Sequence, residues 1–271
     1  MPKCANKQGY TIVEVIIFLA ISSLMFVMAA SFISGKQSKA EFKDSVFDLN
    51  SQIKRVINDV ANGYYPSNGN YTCVVDDSAG GALSFTNGST PQGKHKGCVF
   101  LGKALHFNVG GDAAKYNIYS VAGRQYKTSA ADGTLPSSFA EAMPVPVNAV
   151  IDLTEKNTLK WGTTVSSIKD GTGTSLYGFG FFSSNGTYDN GSLQSGSQTV
   201  EIATFPGSGA VPNLNGSIDN TLDSNIQKNP NIRMCLSGGV GEHATIIIGG
   251  GTGQRLSTDV KLYGTVTPPG C

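Results

Sequence analysis

Few residues in this chain are of types that do chemistry, and most of them are scattered. One carboxylate, Glu14, stands at the edge of Val15 to Ser34, 20 residues without a charge or a proline. At about 1.5 Å rise each, those residues span roughly 30 Å as a helix, the thickness of a bilayer's hydrocarbon core. A carboxylate drawn to the membrane centre costs on the order of 2.5–3.5 kcal/mol, so there Glu14 would need a partner. Held at headgroup level it is simply solvated. The three histidines, His95, His106 and His243, lie far apart, and no GxSxG supplies a nucleophile. His106 stands between Leu105 and Phe107 in a strand-like run, so it faces the side opposite its apolar neighbours. Satisfied surface or core histidines account for all three.

Other tempting groups dissolve on inspection. Gly249-Gly250-Gly251-Thr252-Gly253 follows an apolar run, but a phosphate loop needs GxxxxGK[ST], and no lysine stands in place. A hairpin turn is the better reading. Asp219, Asn220, Asp223 and Asn225 have loose oxygen-ligand spacing but lack the central glycine and closing glutamate of a calcium loop. Lys94-His95-Lys96 is the compact basic cluster, too small alone to bind DNA. No cysteine pair has CxxC or CxxxC spacing, which argues against zinc. The expectation is a non-enzyme with no cofactor and no metal.

The elements that position these residues follow from periodicity. After Ser34 the pattern changes from apolar all round to one-sided. Phe42, Val46, Leu49, Ile53, Val56 and Val60 recur at spacings of three and four, with charged residues between them. Asn62-Gly63 is the stop signal, so the spacing predicts one helix over 10–62 with a transmembrane part at 15–34. From Tyr64 onward the period is two. Strands are expected at Thr72–Val75, Ala82–Thr86, Cys98–Leu101, Ala104–Val109, Tyr116–Val121, Ala149–Leu153, Thr158–Trp161 and Leu176–Phe182. Thr199–Phe205, Ile232–Leu236, Ala244–Ile248 and Val260–Tyr263 complete the set. Residues 124–146 and 206–231 read as long loops, with a short helical turn near Phe139–Met143. The fold class is α+β: a long N-terminal helix packed on a C-terminal antiparallel β-rich domain, 63–271.

Composition agrees. The 271 residues carry 20 basic and 19 acidic side chains, so no global charge asks for nucleic acid. With only 14% charged residues and 34 glycines, the chain suits an extracytoplasmic β-rich protein better than a cytosolic enzyme. An ordinary secretory signal is disfavoured, because the apolar run exceeds the usual length of about 7–15 residues and no A-x-A site closes it. Ala29-Ala30-Ser31 is the nearest candidate.

The first 50 residues hold a more specific pattern. A leader with Lys3 and Lys7 and no acid ends in Gly9; Tyr10-Thr11-Ile12-Val13-Glu14 follows, then the apolar run. This resembles the processing signal of type IV pilins and type II secretion pseudopilins. The resemblance implies a leader at 1–9, cleavage by a prepilin peptidase between Gly9 and Tyr10, and N-methylation of Tyr10. It further implies that Glu14, then the fifth residue, pairs with the free amine of Tyr10 when subunits assemble. Partners would be that peptidase, the membrane and other pilin subunits through the N-terminal helix. Localisation would be single-pass in the inner, or cytoplasmic, membrane with the C-terminal domain outside, and a filament or the cell surface after assembly. The function expected is a minor pilin or pseudopilin. The alternatives are a tip-located binding module, an adhesin or a DNA-uptake pilin, and a membrane-anchored exported enzyme. Such a signal implies a prokaryote, so the N-x-S/T sites at Asn70, Asn87, Asn185, Asn190 and Asn215 are read as turns.

Leader removal would take Cys4 and leave Cys73, Cys98, Cys235 and Cys271, a set with three possible pairings. The nearest-neighbour choice, Cys73–Cys98 with Cys235–Cys271, closes loops of about 25 and about 36 residues. By the chain-entropy account each contributes on the order of 3–4 kcal/mol.

Overall fold

The architecture is taken from a computed structural model, which describes residues 11–63, 71–76, 82–87, 98–126, 134, 136, 139–147, 154–184, 199–207, 226–227, 231–249 and 256–271. The chain divides into two compact units, Met1–Glu41 and Phe42–Cys271, and the division falls inside one helix. That helix, α1, runs Ile12–Ala61. It stops as its residues dictate. The Asn62 backbone N–H donates to the Asn58 carbonyl at 3.0 Å, and Gly63 closes the end with φ 63° and a bond to the Val60 carbonyl at 3.1 Å. Only glycine adopts that left-handed position at no steric cost.

Among the described residues, fifteen further elements follow in the second unit. They are β1 (Tyr71–Asp76), β2 (Ala82–Asn87), β3 (Cys98–Phe107), a 3-10 turn (Val109–Gly111), β4 (Lys115–Arg124), α2 (Phe139–Ala142), β5 (Val145–Pro146) and β6 (Glu155–Thr158). After these come β7 (Thr164–Lys169), β8 (Leu176–Ser184), β9 (Thr199–Pro206), β10 (Ile226–Gln227), β11 (Ile232–Ser237), β12 (His243–Gly249) and β13 (Ser257–Gly264). β1 and β2 form a hairpin. A larger sheet has the order β10-β9-β8-β3-β4-β5, with β6 also on β4, and a four-stranded sheet has the order β13-β12-β11-β7. All paired strands are antiparallel.

The core forms where α1 meets both larger sheets. Phe42, Val46, Leu49, Ile53, Val56 and Val60 are all buried, as their spacing requires. Leu105, Phe107, Ile118, Phe179, Phe181 and Ile202 join them from the larger sheet, and Ile168, Met234, Leu236, Ile246 and Ile248 from the smaller. Each such side chain contributes roughly 1.5–3 kcal/mol when fully buried, so the six helix residues anchor the unit. The opposite face of the larger sheet is also buried, around Leu101, Tyr119, Val121, Tyr177, Phe182 and Phe205, with Ala142 of α2. Two covered faces explain why β8 reads as aromatic and glycine rather than apolar and polar.

Several strands differ from expectation, each for a physical reason. The expected strands 98–101 and 104–109 merge into one, β3, because a bulge at Phe100–Gly102 absorbs the break in alternation, and it ends at Phe107, before Asn108 at φ 57° and the 3-10 turn. A Cβ at Gly102 would overlap the Phe181 carbonyl, so the bulge requires glycine. The strand expected at 158–161 lies earlier, at β6. Trp161 and Gly162 have φ 59° and 67° and form a turn closed by Thr163 N–H to the Lys160 carbonyl at 3.1 Å. β7 was not expected from the pattern at all. It pairs with β11 so that Val165 opposes Leu236 and Ser167 opposes Cys235, leaving Ser166 as an extra residue. That bulge lets Val165 and Ile168, three apart, face one core. The short pairs β5 and β10 fall in stretches read as loops, whereas α2 sits where a helical turn was expected. The strand expected at 149–153 and most of 206–231 lie outside the described residues.

Candidate functional site

The N-terminal segment starts from Thr11. Its Oγ1 accepts the Glu14 backbone N–H at 3.3 Å, which caps the first turn of α1. Thr-x-x-Glu is the capping-box spacing, a signal carried by the sequence itself. A carboxylate in the first turn also sits favourably at the positive end of the helix. Glu14 therefore has a local role, at the helix start, besides any intermolecular one. Val13 to Met28 are exposed along the helix, and their apolar window is long enough to cross a membrane. Ser23 and Ser31 turn their hydroxyls back onto carbonyls of Ala20 and Val27, at 2.9 and 2.8 Å, so they add no free polar group to that surface. Gly9 and Tyr10 lie outside the described residues.

The cysteines are joined as Cys73–Cys98 and Cys235–Cys271, with Cα separations of 6.4 and 5.9 Å. The first bond ties the β1–β2 hairpin to the start of β3, where Cys73 packs with Phe85, Ala122 and Val147. The second straps the last residues across β11 and β7. There Arg233 donates to the Pro269 carbonyl, and Lys169 Nζ donates to the Gly270 carbonyl at 3.1 Å.

Inside the second unit a charge cluster links helix to sheet. Lys103 of β3 is 2% exposed, and its Nζ lies 2.7 Å from Asp59 Oδ2 and 3.3 Å from Glu155 Oε1. Arg55 pairs with the same Glu155. Asp59 and Arg55 come from α1, Glu155 from β6, so three elements converge on one buried ammonium. Tyr116 lies in the same core. Burial first, then the charge of Asp48, pushes its phenol up to about 12. No substrate-sized chemistry follows from this set, which satisfies itself.

His106 is fully buried on the other face of β3, between the rings of Tyr119 and Tyr177 at centroid distances of 6.3 and 5.6 Å. It does face away from Leu105 and Phe107, but that face is itself core. Neither ring nitrogen has a hydrogen-bond partner among the described residues, so the expected satisfied histidine is not found. Burial pushes its pKa below the ordinary 6.5.

The glycine run lies between β12 and β13, whose pairing of Gly249 with Ser257 makes the connection a hairpin loop. Residues 250–255 are outside the described set, as are Lys94, His95, Lys96, Asp219, Asn220, Asp223 and Asn225. His243 begins β12 and does not approach a metal-binding group of side chains among the described residues. In comparisons with family models, curated proteins and solved structures, the chain matches none.

Proposed function

We propose that this chain is a structural subunit, a minor pilin or pseudopilin, of a type IV pilus-like or type II secretion-like filament. A prepilin peptidase would cut after Gly9 and Tyr10 would be methylated. The C-terminal unit would then be displayed outside a membrane that the first half of α1 spans. The reading rests above all on one observation: a continuous helix, Ile12–Ala61, is apolar and exposed in its first half and buried along one stripe in its second. A helix whose first half is apolar on every side needs a non-aqueous partner, first lipid and then sister helices.

The mass and N-terminal sequence of the mature protein test the class. A start at N-methylated Tyr10 supports it, and a start after Ala30 or an intact Met1 overturns it. The role of Glu14 has its own test. Removing one partner of an ammonium–carboxylate pair in apolar surroundings costs roughly 3–5 kcal/mol. Glu14→Ala is expected to insert and to be cleaved normally but to be depleted from filaments. Its incorporation at the level of the natural chain would overturn the assembly role of Glu14.

A further inference from the structure

Beyond the N-terminal half of α1, the large exposed apolar side chains among the described residues are Phe47, Val74, Trp161, Val240, Leu262 and Val266. All but Val74 gather at one end of the second unit. Strand pairing puts Thr164 and His243 both opposite Ser237, and Gly264 opposite His243. The turn before β7, the β11–β12 turn and the chain leaving β13 are thereby neighbours. A Cβ on Gly162 would stand 4.0 Å from the Gly239 Cα, and the Phe42 ring lies against Gly238. Lys160 approaches Asp48 of α1 at 3.8 Å. Trp161, Val240 and Val266 therefore sit on three adjoining turns beside residues 42–48, with Phe47 on that stretch of helix and Leu262 on β13.

Trp161 is the least expected of them. With φ 59° it occupies the first central position of a turn whose second is Gly162 at φ 67°. That conformation suits asparagine, aspartate or glycine, and a bulky indole there is uncommon. It is 56% exposed and contributes nothing to the core. An aromatic held outward on strained backbone needs a contact elsewhere.

We infer that this end of the second unit is a membrane-contacting foot, with Trp161, Val240 and Val266 set into the phospholipid headgroup layer before assembly. The inference rests on the spanning role proposed for residues 15–34. The tether supplies the reason for lipid. Ser34 and Phe42 are eight residues apart, about 12 Å as helix and roughly 28 Å at full extension, so the foot cannot leave the vicinity of the surface. Indole rings favour this interfacial layer, where one edge is apolar and the other wet. Charge does not drive the contact. Lys36, Lys39, Lys43 and Lys160 are nearly balanced by Glu41, Asp44 and Asp48, so zwitterionic lipid suffices.

Trp161 is the single tryptophan of the chain, which makes it its own reporter. The full chain is reconstituted into phosphatidylcholine vesicles, with and without bromine on the upper acyl carbons, and separated by flotation. Bromine quenching of the Trp161 emission, with protection from aqueous acrylamide, is the expected result. Protein that floats while Trp161 ignores bromine and stays open to acrylamide overturns the foot and leaves the span intact. Protection from acrylamide without bromine quenching overturns it in favour of contact with a second copy. Failure to float overturns both readings. Val240→Asp, in an exposed turn, is expected to weaken the bromine quenching; an unchanged signal would sink the three-turn arrangement.

Discussion

Lys103 carries a charge into the space between helix and sheet, where an unpaired ammonium would be strongly unfavourable. Asp59 and Glu155 make it tolerable, and in return the lysine fixes how α1 lies on β3 and β6. Such a cluster is better evidence for a unique register than for stability, since apolar replacements of whole ion pairs are often neutral. Removing the cation alone is different. Lys103→Ala leaves two carboxylates facing a void and is expected to cost about 3 kcal/mol, the low end for breaking a buried pair, because Glu155 keeps Arg55. A fall in the urea midpoint with unchanged slope would show it, and Lys103→Met should lose less. His106 adds a pH dependence of known sign. Burial lowers its folded-state pKa, so the unfolded chain takes up a proton first as pH falls through 6.5. The contribution is complete above that value and shrinks below it, towards the folded-state pKa. Around the ring stand Tyr119 and Tyr177, with Asn117 donating to the Tyr119 hydroxyl at 2.9 Å; no carboxylate is in contact among the described residues to offset protonation. Urea midpoints at pH 7.5 and pH 5 should therefore draw closer in His106→Leu than in the natural chain. Equal acid sensitivity would remove His106 from the account.

Among the elements, β8 shows how little room the larger sheet leaves. Gly178 and Gly180 pair with β3 on one side and β9 on the other. A Cβ on Gly178 would overlap the Leu105 carbonyl oxygen and reach 3.4 Å from the His106 Cα. A backbone obstacle cannot rotate away as a side chain can. Gly178→Ala is thus expected to destabilise by about 1–3 kcal/mol or more, as overpacking does, and differential scanning calorimetry would show the lowered Tm. Retention of the natural Tm would mean that β3 and β8 can separate without cost. The alternation of bulky residues with glycine made this strand legible in the sequence, because close approach leaves a compositional mark. β7 left none. Its core residues are spaced by three, and only the pairing partner reveals that Ser166 bulges out and donates to the Cys235 carbonyl at 3.1 Å. The helix stripe was legible for the opposite reason: an uninterrupted period needs no partner to be read.

At the scale of the molecule, the long helix, its stop at Gly63 and the β-rich remainder are legible because each leaves a local mark in the sequence. What depends on distant pairing is not. Glu155, Lys103 and Asp59 are spread over almost a hundred positions, and no spacing rule links them. His106 lies on the expected face and in the core, one of the two settings expected for it, but without the partner expected there, and burial of that second sheet face comes from residues far along the chain. At Glu14 the local signal is Thr11, three residues before it, whose hydroxyl accepts the Glu14 backbone N–H.

The stripe from Phe42 to Val60 also has a mechanical side. It packs by one face into a core that both sheets line, and Arg55 and Asp59 add polar rivets near its far end. Tension applied to the chain ahead of Phe42 enters the C-terminal unit through this rod. The load then acts as shear across six apolar side chains at once, instead of peeling them one by one from a free edge. Under such a load the helix would act as a tendon for the C-terminal unit.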